Sequence, residues 1–227
     1  MTWRSTVFAP SGNLSKSKGR DVRVLFLGDV VGRVGREAVI DHLPGVIRTI
    51  SPDFVVCNGE NAAGGFGITG KICRELYDAG VDVVTTGNHI WDQREIITYI
   101  ETDTNLLRPL NFPEGTPGRG IGVYQTRNGH RVAVINVMCR LFMDPLDDPF
   151  AAVERAIESL MLGDTVDFIL IDLHGEATSE KMAFGHAFDG RVSLVVGTHT
   201  HIPTADTMVL EHGTAYQSDA GMCGDYD

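Results

Sequence analysis

Five short apolar runs in this chain each end in a cluster of polar residues, and this limits the possible folds more than any other feature. The runs are residues 22–27, 53–57, 81–85, 166–173 and 192–196, rich in Val, Ile, Leu and Phe. Continuous apolar runs of this length read as strands buried on both faces, in a parallel or mixed sheet covered by helices. Stretches with helical character alternate with them, at residues 36–50, 69–79, 92–102 and 150–161. Thr69 is placed to cap the second.

The middle of the chain differs. Residues 109–122 form a Pro/Gly-rich loop. Residues 122–126 and 131–137 flank Asn128-Gly129, a signal for a hairpin with a type I′ turn. Residues 140–149 are irregular, and further strands fit residues 207–210 and 214–217. Residues 219–227 read as a loop with no closing helix. No repeat or linker divides the chain, so one α/β domain is expected, with strands enough for two packed sheets. Residues 1–20 are polar and lack the apolar core of a signal peptide, which suggests a mobile N-terminal extension.

The polar clusters are Gly28-Asp29, Gly59-Glu60-Asn61, Gly87-Asn88-His89, His174 and His199-Thr200-His201. In open α/β sheets the functional crevice lies beyond the carboxyl ends of the strands, where these clusters fall. They supply carboxylates (Asp29, Glu60), carboxamides (Asn61, Asn88) and imidazoles (His89, His174, His199, His201). Taken singly, Asp29 or Glu60-Asn61 would serve as a helix-capping turn, and His174 as a hydrogen-bonded structural histidine. Capping and structural roles do not explain why all the clusters share one edge of a sheet; a pocket for two divalent metal ions does. A nitrogen and oxygen donor set without thiolate favours Mn(II), Fe(II), Zn(II) or Co(II) over Ca(II). Two residues apart on a strand, His199 and His201 point to the same side, and a kink between them lets them serve neighbouring ions.

Other classes fit less well. The net charge of −11 argues against a protein that grips a nucleic-acid backbone. No apolar run approaches the roughly 20 residues that span a bilayer. The cysteines (Cys57, Cys73, Cys139, Cys223) are scattered without metal-binding spacing and fit a reducing, cytoplasmic setting. The Gly-rich residues 62–70 lack both the P-loop lysine and the dinucleotide pattern. They read as a mobile loop beside the pocket, with Phe66 near a substrate base. Arg140, Thr178 and Lys181 are candidates for either phosphate contact or loop fixing.

These motifs, in this order, resemble those of calcineurin-like metallophosphoesterases. The strings LGDVVGRVGRE, NGENAAGGFGITGK, TTGNHIWDQREI, HGEATSEK and VVGTHTHIPTAD are similar to the YmdB-type branch, which is associated with 2′,3′-cyclic nucleotides. The resemblance runs from about residue 23 to residue 226. It implies an α/β/β/α sandwich, two mixed β-sheets flanked by helices, over residues 21–227. Family members usually continue further with a helix and a strand, so a short C-terminal segment is expected to be lacking. By the same resemblance Asp29, Glu60, Asn61 and His201 hold one metal. Glu60, Asn88, His174 and His199 hold the other, with Glu60 bridging, and His89 is the catalytic acid. Fe or Mn is favoured and Zn fits. The implied reaction is hydrolysis of a cyclic nucleotide by hydroxide held between the ions. The substrate is a small molecule, without a membrane or a stable nucleic-acid complex, and related proteins allow a homo-oligomer. Three positions depart from the general or branch pattern: Val31 replaces a histidine, Glu60 an aspartate, and Leu173-His174-Gly175 stands where Phe-His-Ala is usual. The rival readings are a phosphomonoesterase of the same fold and a nucleotide-sensing regulator. An amidohydrolase is disfavoured, because it would place its His-x-His on the first strand.

Overall fold

Strand residues in this protein sort into two opposite-facing sets, and that sorting builds the layers. The computed structural model describes residues 22–226, so the expected N-terminal extension lies outside the described residues. In chain order the first half contains β1 (Val24–Leu27), β2 (Asp29–Val30), α1 (Gly32–Ile50), β3 (Phe54–Asn58), α2 (Gly70–Ala79), β4 (Val83–Thr85) and α3 (Ile96–Tyr99). Then follow β5 (Ile121–Gln125), β6 (Arg131–Met138), α4 (Pro149–Ile157), β7 (Phe168–His174), α5 (Thr178–Ala187) and β8 (Leu194–Thr198). The chain ends with β9 (Met208–Val209), β10 (Ala215–Gln217) and β11 (Met222–Cys223). One sheet has the order β1-β3-β4 and is parallel throughout; the other is mixed, β5-β6-β7-β8-β10-β9. A two-stranded ribbon pairs β11 with β2.

Side chains alternate across a strand with a period of two. In β3, Val55 and Cys57 face α1 and α2, packing with Val39, Leu43 and Leu76. Phe54 and Val56 face the other way and meet Val132, Val134 and Leu170 of the larger sheet. In that sheet Ala133, Ile135, Ile169 and Ile171 face outward, against Val153 of α4 and Phe184 of α5. The result is helix, sheet, sheet, helix. Full burial of each Val, Leu or Ile contributes about 1.5–3 kcal/mol, so the central and outer layers together fix the register of the buried strands.

Four details depart from the sequence expectation. α1 begins at Gly32, not near residue 36. Gly35, within this added first turn, serves close packing: a Cβ there would fall 1.9 Å from the Cys223 carbonyl oxygen of β11. The helix expected over residues 92–102 is reduced to α3, one turn flanked by turns. The β5–β6 hairpin forms, but of its two turn residues only Gly129 has positive φ. Its N–H bonds the Thr126 carbonyl at 3.0 Å. Type I′ needs both residues left-handed, so the turn is of another type. Finally, α5 and the β2–β11 ribbon were not expected.

Candidate metal centre

The polar clusters extend the carboxyl ends of five strands drawn from both sheets. Asp29 opens β2 just after β1, Glu60 and Asn61 follow β3, and Asn88 and His89 follow β4. His174 is the last residue of β7, and His199 and His201 follow β8. The site therefore lies on the seam between the sheets. Asp29, Glu60 and His174 are fully buried, and Asn61 nearly so.

Donor atoms converge there. His174 Nε2 lies 3.1 Å from Glu60 Oε1, 3.0 Å from Asn88 Oδ1 and 3.1 Å from His199 Nδ1. Glu60, His174 and His199 each offer an atom within 4.8 Å of the others. On the other side, Asp29 Oδ1 faces His201 Nε2 at 3.6 Å, and Asn61 lies 3.2 Å from that nitrogen and 3.1 Å from Glu60 Oε1. Glu60 therefore touches both groups. His199 and His201 are not on the strand, as the sequence suggested. They sit in the turn beyond it, with φ of 99° and 66°. Left-handed backbone at non-glycine residues is strained and persists only where its surroundings hold it.

The residues fit cations. Among the described residues, Asp29 Oδ1 is the buried side-chain polar atom that lacks a hydrogen-bond partner. Such an atom is costly unless a positive partner faces it. Gly87 keeps the pocket open, since a Cβ there would fall 2.3 Å from His174 Nε2 and 2.4 Å from Glu60 Oε2. Turning the Asn61 amide over presents its oxygen, the orientation a cation requires.

Charges are strongly coupled. Burial alone would raise the Glu60 carboxyl, but the His174 imidazole and the His89 N–H bring it down to about 2. Burial alone would lower His174, but the Glu60 carboxylate outweighs it and raises the ring to about 9. Burial, then His174, lowers His199; the Asp29 carboxylate, facing the ring at 3.6 Å, raises His201. The Glu60 carboxylate and the His174 imidazole thus each favour the charged form of the other.

His89 is set apart. Its Nδ1 lies 2.7 Å from Asp92 Oδ2, and its ring meets Phe66 edge-on at 5.1 Å. Sequence reasoning missed Asp92, and also Glu176, which lies 3.2 Å from His199 Nε2. It missed a buried polar layer beneath the site as well: Asn58, Thr85, Asn136, Asp172 and Thr198. Burial, the largest influence, pushes Asp172 up to about 6. The signal was present, because Asp172 interrupts the apolar run Phe-Ile-Leu-Ile-Asp-Leu-His. Lys181 proves to be a loop-fixing residue, buried and bonded to Asp219 and to the Thr198 carbonyl.

Four layers with a buried carboxylate–imidazole cluster on the seam define a protein of the metallophosphoesterase type. More narrowly, the chain belongs to the YmdB-like protein family, whose model matches residues 25–227. It is 50% identical over 206 residues to the 2′,3′-cyclic-nucleotide 2′-phosphodiesterase of Bacillus subtilis, covering 91% of this chain and 77% of that one. The crystal structure of a hypothetical protein from Thermus thermophilus aligns with a TM-score of 0.84 at 49% identity, covering 90% of this chain and 78% of that one. A novel phosphatase from Mycoplasma pneumoniae aligns with a TM-score of 0.81 at 33% identity, covering 88% and 72%.

Proposed function

We propose that this protein is a phosphodiesterase that opens 2′,3′-cyclic nucleoside monophosphates with two divalent cations and with His89 as general acid. The observation that carries this reading is the seam cluster with its unpartnered Asp29 oxygen, in a chain half identical to a phosphodiesterase of that substrate. Asp29, Glu60, Asn61 and His201 hold one ion; Glu60, Asn88, His174 and His199 hold the other. Fe or Mn suits this donor set best, and Zn fits it. When bound, the ions act as Lewis acids that activate water and neutralise the phosphoryl oxygens.

The remaining steps belong to the chain. The buried carboxylates and imidazoles are fixed before substrate arrives, so little reorganisation is needed as charge develops. Asp92 holds His89 Nδ1, which leaves Nε2 free to act on substrate. As water oxygen bonds to phosphorus and the bond to one ribose oxygen breaks, His89 protonates that departing oxygen. The product is a nucleoside monophosphate. The exposed Phe66 ring, already against His89, offers a surface for the base. The free cysteines, three of them buried, support a reducing cytoplasmic setting for this reaction.

The test is turnover of 2′,3′-cyclic AMP by metal-stripped protein reloaded with Mn(II), beside an Asp29→Ala control and a chromogenic monoester. Turnover that needs both metal and Asp29, and exceeds that of the monoester, is expected. Preference for the monoester would make the protein a phosphatase of the same fold.

A further inference from the structure

The inter-sheet face changes character toward the carboxyl ends of its strands. Going up β3 the inward residues are Phe54, Val56, Asn58; up β7 they are Phe168, Leu170, Asp172, His174. Directly beneath the metal centre the apolar core thus gives way to a closed polar layer, and Asp172 is its hub. Its carboxylate accepts from Asn58 Nδ2 at 3.0 Å, from the Thr85 hydroxyl, and from Thr198 Oγ1 at 2.7 Å. Asn58 and Thr85 belong to the small sheet, whereas Asp172 and Thr198 belong to the large one. One buried carboxylate therefore joins the two sheets at the point where the site begins.

The direction of these bonds is determinate. An ionised carboxylate only accepts, and a hydroxyl has one proton to give. Thr198 gives its proton to Asp172, so it accepts from His174 Nδ1, 2.9 Å away. The Nδ1 proton is thereby fixed, and Nε2 is the nitrogen left to face Glu60, Asn88 and His199.

We propose that Asp172 is a positioning residue that acts through the Thr198 hydroxyl to hold His174 in the tautomer and orientation that present Nε2 to the metal centre. The proposal rests on the metal-centre reading above and adds to it a determinant that touches neither ion nor substrate. Partners that orient a ligating histidine, here Thr198 directly and Asp172 behind it, typically change metal affinity by about 10- to 100-fold.

The test measures Mn(II) uptake by metal-stripped protein, read from the loss of the free Mn(II) electron-paramagnetic-resonance signal, together with thermal unfolding. Thr198→Val cuts the relay at its centre and leaves Asp172 with Asn58 and Thr85. It should weaken uptake of one ion by about 10- to 100-fold, and Thr198→Ser should restore it. Asp172→Asn should show the same loss. Combining Asp172→Asn with Thr198→Val should add little, because both act through one chain of bonds. Variants that unfold at lower temperature but bind Mn(II) like the parent would make the layer purely structural and overturn the proposal alone. Parent protein that takes up no Mn(II) would overturn the metal-centre reading and this proposal with it.

Discussion

His89 differs from the other site histidines in what its ring nitrogens face. His174, His199 and His201 each meet a carboxylate and another donor of the cluster. The His89 ring instead touches Asp92 and Phe66 and is 31% exposed. A ligand is surrounded by other ligands; a proton donor needs an orienting partner on one nitrogen and access on the other. His89→Ala is therefore expected to retain both metals by equilibrium dialysis while turnover falls about 10²- to 10⁴-fold, the usual contribution of general acid catalysis. Loss of metal in that variant would instead make His89 a ligand. These histidines were visible in the sequence because each stands where an apolar run stops. Asp92 was not, because it stands inside a turn rather than at the end of a run, and only the turn itself, closed by the Asp92 N–H on the His89 carbonyl at 3.1 Å, sets its carboxylate against the ring.

The turn after β8 shows how an element is held where local preference opposes it. Both His199 and His201 adopt left-handed backbone, which costs free energy at a residue that carries a Cβ. Two groups compensate. Lys181 of α5 donates to the Thr198 carbonyl at 2.8 Å and to Asp219 at 2.9 Å, and Asp219 accepts from the Thr200 N–H at 3.1 Å. Removing one partner of a buried ion pair strands the other charge, typically at a cost of about 3–5 kcal/mol. Lys181→Met should therefore lower stability by about 3–5 kcal/mol in urea denaturation; a change below about 1 kcal/mol would mean the pair is a bystander. Lys181 was legible from sequence only as a phosphate contact or a loop-fixing residue, because its partner lies far along the chain. The elements read correctly, such as α2 with Thr69 accepting from the Ile72 N–H, are those whose determinants are local. The β2–β11 ribbon has two residues in each strand, too few for any periodicity to register.

At the scale of the whole molecule the proposed metal centre is a joint between two half-structures. Asp29, Glu60, Asn61 and Asn88 follow strands of the small sheet, or the ribbon that continues it, and His174, His199 and His201 follow the large sheet. Below the joint the sheets share an apolar layer, Phe54, Val56 and Val83 against Val132, Val134 and Leu170, whose side chains offer no ligand atom to an ion. The fold should therefore survive metal removal, but ions bound from both sides should add to it. A ligand that binds only the native state at 100 times its Kd stabilises by about 2.7 kcal/mol. For a chain of this size each kcal/mol moves the midpoint by about 2–4 °C, so chelation should lower Tm by about 5–11 °C. Mn(II) should restore it. The gain should vanish in Asp29→Ala and in His174→Ala, although those residues lie on different sheets. If only one of the two variants loses the metal-dependent gain, the ions sit on one sheet and the seam is held by its apolar layer alone.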